Sequence, residues 1–281
     1  MYQLGDMRCR ASNALKKAGI QTHSIEADVI LSELLEMPRT FLHSHPEYAL
    51  DSQFISILDN ILNRRISGEP LQYVLGRTWF FGYEIEVGRG VLIPRPETEI
   101  LVEEALKRFK KGTFLDWGTG SGCITIAILE ETCSTRAIAL EKDPGAMSWA
   151  WKNLSKYGLL SRTLLLNLDA QGHIPVGNNT LDLMVSNPPY IETSTIPGLD
   201  RSVRDHEPHV ALDGGAGGLE LFLPIMEFAR QKLKKGAHLI VECGGGAHAS
   251  YLGSMNFNGL AHSFTRHDLC GIPRIVGWCR V

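Results

Sequence analysis

The sequence predicts an α/β protein, with a mostly parallel sheet covered by helices on both faces, preceded by a small helical domain and joined to it by a β-hairpin. Three observations carry this reading. From about residue 94 onward, short apolar runs alternate with stretches of helical periodicity, as repeated βα units require. The first 75 or so residues show helical spacing without strand alternation. A glycine-rich loop, Asp116-Trp117-Gly118-Thr119-Gly120-Ser121-Gly122, follows an apolar run and opens a helix, where open α/β sheets bind ligands.

The elements follow in order. Arg8 to Ala18 is a short amphipathic stretch that Gly19 ends. Ser24 is placed to cap a second helix carrying Ile25, Val29, Ile30, Leu34 and Leu35, and Pro38 stops it. Asp51 caps a third, with Phe54, Ile55, Leu58, Ile61 and Leu62 on one face. Trp79 to Val87 alternates as a strand, and Gly88-Arg89-Gly90 leads into Val91-Leu92-Ile93, which reads as a β-hairpin. Strands are then expected at Thr113–Leu115, Ala137–Leu140, Leu164–Leu168, Leu181–Val185 and His238–Val241, with late strands at Ser263–Thr265 and Ile275–Cys279. Helices are expected at Cys123–Leu129, Ala146–Tyr157 and Leu219–Leu233. The expected domains are residues 1–78 (helical), 79–93 (hairpin connector) and 94–281 (α/β).

Composition narrows the class. With 44% hydrophobic and 21% charged residues, the 281-residue chain has an ordinary globular balance. It contains no run of about 18 apolar residues, so no membrane span is expected. Met1 to Asp6 has neither a basic nor an apolar leader region, so no secretory signal is expected. The six cysteines (9, 123, 133, 243, 270, 279) form no C-x-x-C pair. They read as reduced thiols in a cytoplasmic protein, with no metal site. A net charge of −3 lacks the basic footprint of a free-standing nucleic-acid binder, so no stable nucleic-acid partner is expected.

The glycine loop is G-x-G-x-G, not the dinucleotide G-x-G-x-x-G. Asp116, immediately before Trp117 and the first glycine, would repel a pyrophosphate but accept from an ammonium. Glu141 ends the next strand, 25 residues after Asp116, where an acid grips ribose hydroxyls. Asp169 follows the third strand, where it can accept from an adenine amine. An amino-acid ammonium, a ribose and an adenine without phosphate are the parts of S-adenosylmethionine. Each residue alone has a plainer reading as a turn, strand-end or cap residue; the combination favours the cofactor.

Asn187-Pro188-Pro189-Tyr190 follows the apolar run Leu181–Val185. The Asn187 side-chain carbonyl can accept one N–H of a planar NH2 group. The two prolines donate nothing and hold φ near −65°. That leaves the Pro188 carbonyl for the second N–H and the Tyr190 ring for the flat face. Such a clamp suits a carboxamide or the exocyclic amine of adenine equally well.

Together with Gly68–Gly76, Val91–Glu99 and Glu207–Gly215, these motifs resemble the protein-(glutamine-N5) methyltransferases that modify peptide chain release factors. Pro94-Arg95-Pro96-Glu97-Thr98-Glu99 argues for that branch over the sister branch acting on a ribosomal protein. The resemblance implies a Rossmann-like class I S-adenosylmethionine-dependent methyltransferase domain. It implies that Gly118, Thr119, Gly120, Ser121 and Gly122 form the cofactor loop and that Glu141 holds the ribose. It implies that Asn187, Pro188, Pro189 and Tyr190 bind the glutamine of a Gly-Gly-Gln motif, Asn187 lying also beside the methyl donor. Three departures stand out. Ala170 occupies the adenine-facing position where an aromatic residue is frequent, His206 replaces a tyrosine, and Glu242–Gly246 is unusually glycine-rich. Arg95, Glu97 and Glu99 either shape the site entrance or cap the helix that follows. His206 and His209 are general-base candidates by type alone. The expected partner is a release factor.

Overall fold

The computed structural model describes residues 2–169 and 174–281; Ala170, expected against the adenine, lies outside them. By its internal contacts the chain divides into two units. One takes the chain up to Arg77 together with Arg201–His206, and the other takes Thr78–Asp200 and Glu207–Val281.

The first unit contains β1 (Tyr2–Gln3), α1 (Leu4–Lys17), α2 (His23–Leu35), α3 (Arg39–Ser44), β2 (Ala49–Leu50), α4 (Ser52–Ile66) and α5 (Leu71–Leu75). Its core is the shared apolar face of the helices, with Leu4, Leu15, Ile30, Leu31 and Leu58 fully buried. Asp51 caps α4, its carboxylate accepting the Phe54 N–H at 2.7 Å. Ser24 does not cap α2. The helix starts two residues earlier, after Thr22, whose hydroxyl donates to the Glu26 carboxylate. Ile25 is exposed, and the buried face of α2 is Ala27, Ile30 and Leu31. The helix ends before Pro38, with Glu36 in the left-handed region at φ 53°.

The second unit opens with a hairpin of β3 (Arg77–Phe80) and β4 (Tyr83–Glu86). Its turn is Phe81-Gly82, with φ 52° and 83°, not Gly88–Gly90; Val91–Ile93 form no strand. Positive φ at both central residues is the turn that matches strand twist. A phenylalanine there is costly, and it is held because the Glu99 carboxylate accepts the Phe81 N–H at 2.8 Å.

The rest alternates α6 (Thr98–Arg108), β5 (Lys111–Trp117), α7 (Cys123–Glu130), β6 (Ser134–Glu141), α8 (Pro144–Lys156), β7 (Thr163–Asn167) and β8 (Leu181–Ser186). The four-residue α9 (Arg201–Arg204) is counted with the first unit. Then come α10 (Phe222–Lys232), β9 (Leu233–Glu242), α11 (Gly246–Ser254), β10 (Leu260–His267) and β11 (Pro273–Arg280). The seven-stranded sheet runs β10-β11-β9-β8-β5-β6-β7. β9, β8, β5, β6 and β7 are parallel, while β11 is antiparallel to both its neighbours.

β5 and β8 are buried because sheet neighbours and helices cover them; hence Phe114 and Leu115 on β5, and Leu183, Met184 and Val185 on β8, are wholly enclosed. α7 (Cys-Ile-Thr-Ile-Ala-Ile-Leu) is apolar on all sides and accordingly buried along nearly its whole length. The chain winds outward from β5 through β6 and β7, then returns to place β8 on the other flank of β5. The β5–β8 boundary is therefore the switch point of the sheet, where the loops at the carboxyl ends part and leave a crevice.

Asn153 on α8 ties three pieces together. Its amide accepts the Glu86 N–H at 2.8 Å and donates to the Glu86 and Ser121 carbonyls, both at 2.9 Å. It therefore holds the hairpin and the glycine loop to one helix. Asn153→Ala leaves these backbone groups without their partner, and is expected to lower unfolding free energy by about 3 kcal/mol in equilibrium denaturation.

Candidate active site

The switch point opens into a cavity of about 350 Å³. Its wall includes Gly118 to Ser121, Glu141, Asp169, Asn187, Pro188 and Pro189, so the two motifs on β5 and β8 face one space. Strand register is the cause. Trp117 pairs with Ser186 across β5 and β8, and the Ser186 hydroxyl donates to the Trp117 carbonyl at 2.8 Å. The next residues on either side are Gly118 and Asn187.

The loop is held by its own backbone. The Gly118 and Thr119 N–H groups donate to the Leu140 carbonyl at 3.0 and 2.8 Å. Gly118, Gly120 and Gly122 all have positive φ, between 56° and 83°, which is why glycine alternates here. The Glu141 carboxylate accepts the Gly120 N–H and the Asp143 N–H, both at 2.9 Å. It is thus fixed at the cavity wall, with lone pairs left for further donors. Burial raises its pKa against those two hydrogen bonds.

Asp116 stands behind the loop, off the cavity wall and fully buried. The Thr119 and Thr125 hydroxyls both donate to Oδ2 at 2.7 Å, while Oδ1 has no partner. Burial pushes its pKa up to about 6. A buried carboxylate oxygen without a donor, beneath a glycine loop, suits a cationic ligand group. Asp169 is exposed at the rim and pairs with Lys142 at 3.2 Å.

Asn187 donates through Nδ2 to the Thr98 hydroxyl at 3.1 Å. Thr98 is buried and donates to the Glu242 carboxylate at 2.6 Å. Tyr190 stands behind the wall. Its ring packs against the sheet core and its hydroxyl meets Glu242 at 3.4 Å. The reason is room on that side: a Cβ at Gly244 would lie 3.1 Å from the Tyr190 ring, so the glycine-rich Glu242–Gly246 segment makes space for it. Burial, then the Glu242 charge, raises the Tyr190 phenol well above its ordinary value.

Arg95 lines the cavity and pairs with buried Glu207 at 2.6 Å, and Glu207 also accepts the Ile93 N–H. Neither Glu97 nor Glu99 caps α6: Glu97 occupies the cap position without a side-chain bond, and Glu99 holds the hairpin turn. His209 is not on the wall, and His206 belongs to the other unit. Thr98 and Glu242 were not singled out in the sequence. The available signals were a threonine inside Pro-Arg-Pro-Glu-Thr-Glu and an acid ending the apolar run of β9.

Known proteins resemble both parts of the chain. The PrmC N-terminal domain matches residues 6–76, and the methyltransferase small domain matches residues 96–198. A release factor glutamine methyltransferase from Geobacter sulfurreducens is 36% identical over 94% of this chain and 92% of its own. One from Caulobacter vibrioides is 37% identical over 83% of this chain and 81% of its own. The chain belongs to the release factor glutamine methyltransferase family. Like the family, it is an S-adenosylmethionine-dependent methyltransferase. Among solved structures, a ribosomal protein L11 methylase from Lactobacillus delbrueckii subsp. bulgaricus shares the fold, with a TM-score of 0.51 at 16% identity. It aligns with 70% of this chain and 84% of its own. Among the described residues no helix is long and apolar enough to cross a membrane.

In this methyltransferase the exit from Asn187–Tyr190 is braced by a second segment. The Ile191 N–H donates to the Leu212 carbonyl, and the Gly214 N–H to the Ile191 carbonyl. Gly218, at φ 69°, comes so close that an added Cβ would lie 2.1 Å from the Tyr190 carbonyl oxygen. Gly218→Ala is expected to destabilise the protein by about 1–3 kcal/mol. By displacing the Tyr190 backbone it is also expected to slow methyl transfer at least about tenfold. Equilibrium unfolding and single-turnover methylation check the two effects.

Proposed function

We propose that this enzyme methylates the side-chain amide nitrogen, N5, of the glutamine in the Gly-Gly-Gln motif of peptide chain release factors. The observation that carries the reading is the Asn187 amide. Its NH2 is committed to Thr98, which leaves its carbonyl oxygen as the group available to accept, on a residue that lines the cavity. An acceptor there, beside the carbonyl of Pro188, suits an incoming NH2 group and repels a carboxylate.

Glu141, on the cavity wall, supplies the carboxylate for the ribose of the cofactor, and Asp116 supports its ammonium from beneath the loop. Gly118, Thr119, Gly120, Ser121 and Gly122 supply the close backbone. Asp169, exposed at the cavity rim, serves the adenine, for which the resemblance also offers Ala170, and Asn187 serves the methyl donor. Bound S-adenosylmethionine supplies a methyl on a sulfonium, a leaving group that needs no further activation. A carboxamide nitrogen is a poor nucleophile because its lone pair is delocalised into the carbonyl. Acceptance of both N–H bonds by Asn187 and Pro188 raises electron density on nitrogen and aims it. Orientation of this kind supplies up to about 7–11 kcal/mol in the best intramolecular analogies. Pro189 on the wall fixes the backbone of the clamp, and Tyr190 keeps it rigid from behind. Once methylated, the nitrogen is acidic and loses its proton without a strong base.

Residues 1–78 serve as the substrate-recognition domain, 79–93 as the connector and 94–281 as the methyltransferase domain. The enzyme works in the cytoplasm, in keeping with its free thiols, and without a stable nucleic-acid partner. Asn187→Ala is expected to lower turnover about a hundredfold or more while cofactor binding, read by calorimetry, persists. The substrate is tested with labelled S-adenosylmethionine and three acceptors: a release factor, the same factor with its Gly-Gly-Gln glutamine changed to alanine, and duplex DNA. Label on the first alone is expected. Label on DNA, or label surviving the glutamine change, overturns the reading.

A further inference from the structure

We propose that Glu242 is a positioning residue that acts through the Thr98 hydroxyl to set which face of the Asn187 amide meets the substrate. The proposal rests on the role given to Asn187 above and goes beyond it. Thr98 has a single hydroxyl hydrogen. It is donated to Glu242 Oε2 at 2.6 Å, so the Thr98 oxygen can only accept from Asn187. The Asn187 group facing Thr98 is therefore its NH2, and the group facing the cavity is its carbonyl. A carboxylate one hydroxyl removed from Asn187 thus decides the polarity of the clamp.

The relay has a second state. If Glu242 carries a proton, it donates to Thr98. The Thr98 hydrogen is then free to turn toward Asn187 and accommodate the flipped amide. The flipped amide presents NH2 to the substrate NH2, donor against donor, and the clamp is lost. Ionised Glu242 is the active form.

The surroundings place this switch near neutrality. Glu242 is 1% exposed, and burial pushes its pKa up to about 7. The groups facing it are the hydroxyls of Thr98 and Tyr190, which favour the charged form. Glu97 at the start of α6 opposes the charge, and Arg274 on β11 favours it. The thiols of Cys123 and Cys243 also feel its charge, and both are pushed up chiefly by burial, to about 12 and about 11, so they stay neutral. The sign follows. The carboxylate that sets the clamp is present above the raised pKa and lost below it, so kcat rises with pH through about 7.

The test measures kcat against pH at saturating cofactor and release factor. Four proteins are compared: wild type, Glu242→Gln, Thr98→Val and Thr98→Ser. Wild type is expected to rise about tenfold per pH unit below the midpoint and level off above it. Glu242→Gln, which cannot ionise, is expected to lose that step. Thr98→Val, with the same shape and no hydroxyl, is expected to lose between about tenfold and a hundredfold in kcat at high pH. Its cofactor affinity is expected to hold, and Thr98→Ser to restore the rate. A pH step retained in Glu242→Gln, or wild-type turnover by Thr98→Val, overturns the proposal. Activity surviving Asn187→Ala would instead sink the clamp itself, so the two failures are distinguishable.

Discussion

The pairing of β5 with β8 is the constraint on which the rest depends. These strands were not consecutive in winding; β6 and β7 were laid down on one flank of β5 before the chain returned to the other. Parallel register then puts Trp117 opposite Ser186, and the buried Ser186–Trp117 hydrogen bond closes the ladder at that level. Beyond it the chains diverge, one into glycines and one into Asn187 and two prolines. Slipping this register by one residue would turn alternate side chains to the wrong face of a strand buried on both sides. The glycine loop and the Asn187–Tyr190 turn are neighbours because the hydrophobic core allows no other alignment.

Around that point the molecule keeps an unusual set of buried acids. Asp116 and Glu242 lie at the ends of apolar strands, and Glu207 lies in a loop; each is almost wholly enclosed. Burial alone would neutralise them. Each is met by specific donors: two threonine hydroxyls at Asp116, Thr98 and Tyr190 at Glu242, and Arg95 with the Ile93 N–H at Glu207. Such donors hold rigid hydrogen-bond geometry in a low-dielectric setting. The same arrangement leaves Asp116 and Glu242 with raised pKa values, so rigidity and pH sensitivity have one origin.

The parallel sheet was legible because its strands are short apolar runs separated by helical periods, and the motifs fell at strand ends where ligands bind. The place of Glu141, Asn187, Pro188 and Pro189 on one cavity wall was legible because each follows a strand end: an acid, a carboxamide, and prolines that lack donors. What escaped was set by contacts distant in sequence. Phe81 turns the hairpin because Glu99 takes its N–H, and no local rule favours phenylalanine at positive φ. Tyr190 packs behind the wall because Gly244, more than fifty residues later, leaves it space. Thr98 and Glu242 looked like an ordinary helix-start threonine and a strand-end acid. Only the fold joins them to Asn187, 89 and 55 positions away (187 − 98 and 242 − 187). Asp116 was expected to meet the ligand directly, yet it stands beneath the loop with one oxygen still unpartnered.

In the proposed clamp, Asn187 and Pro188 receive a glutamine NH2 group through two carbonyl oxygens. A crystal structure of the enzyme with S-adenosylhomocysteine and a release factor tests it most directly. The glutamine side-chain nitrogen is expected within about 3.2 Å of both Asn187 Oδ1 and the Pro188 carbonyl oxygen, with Asn187 Nδ2 still on Thr98. A glutamine held through its own carbonyl, or an Asn187 amide turned with NH2 toward the substrate, would contradict it.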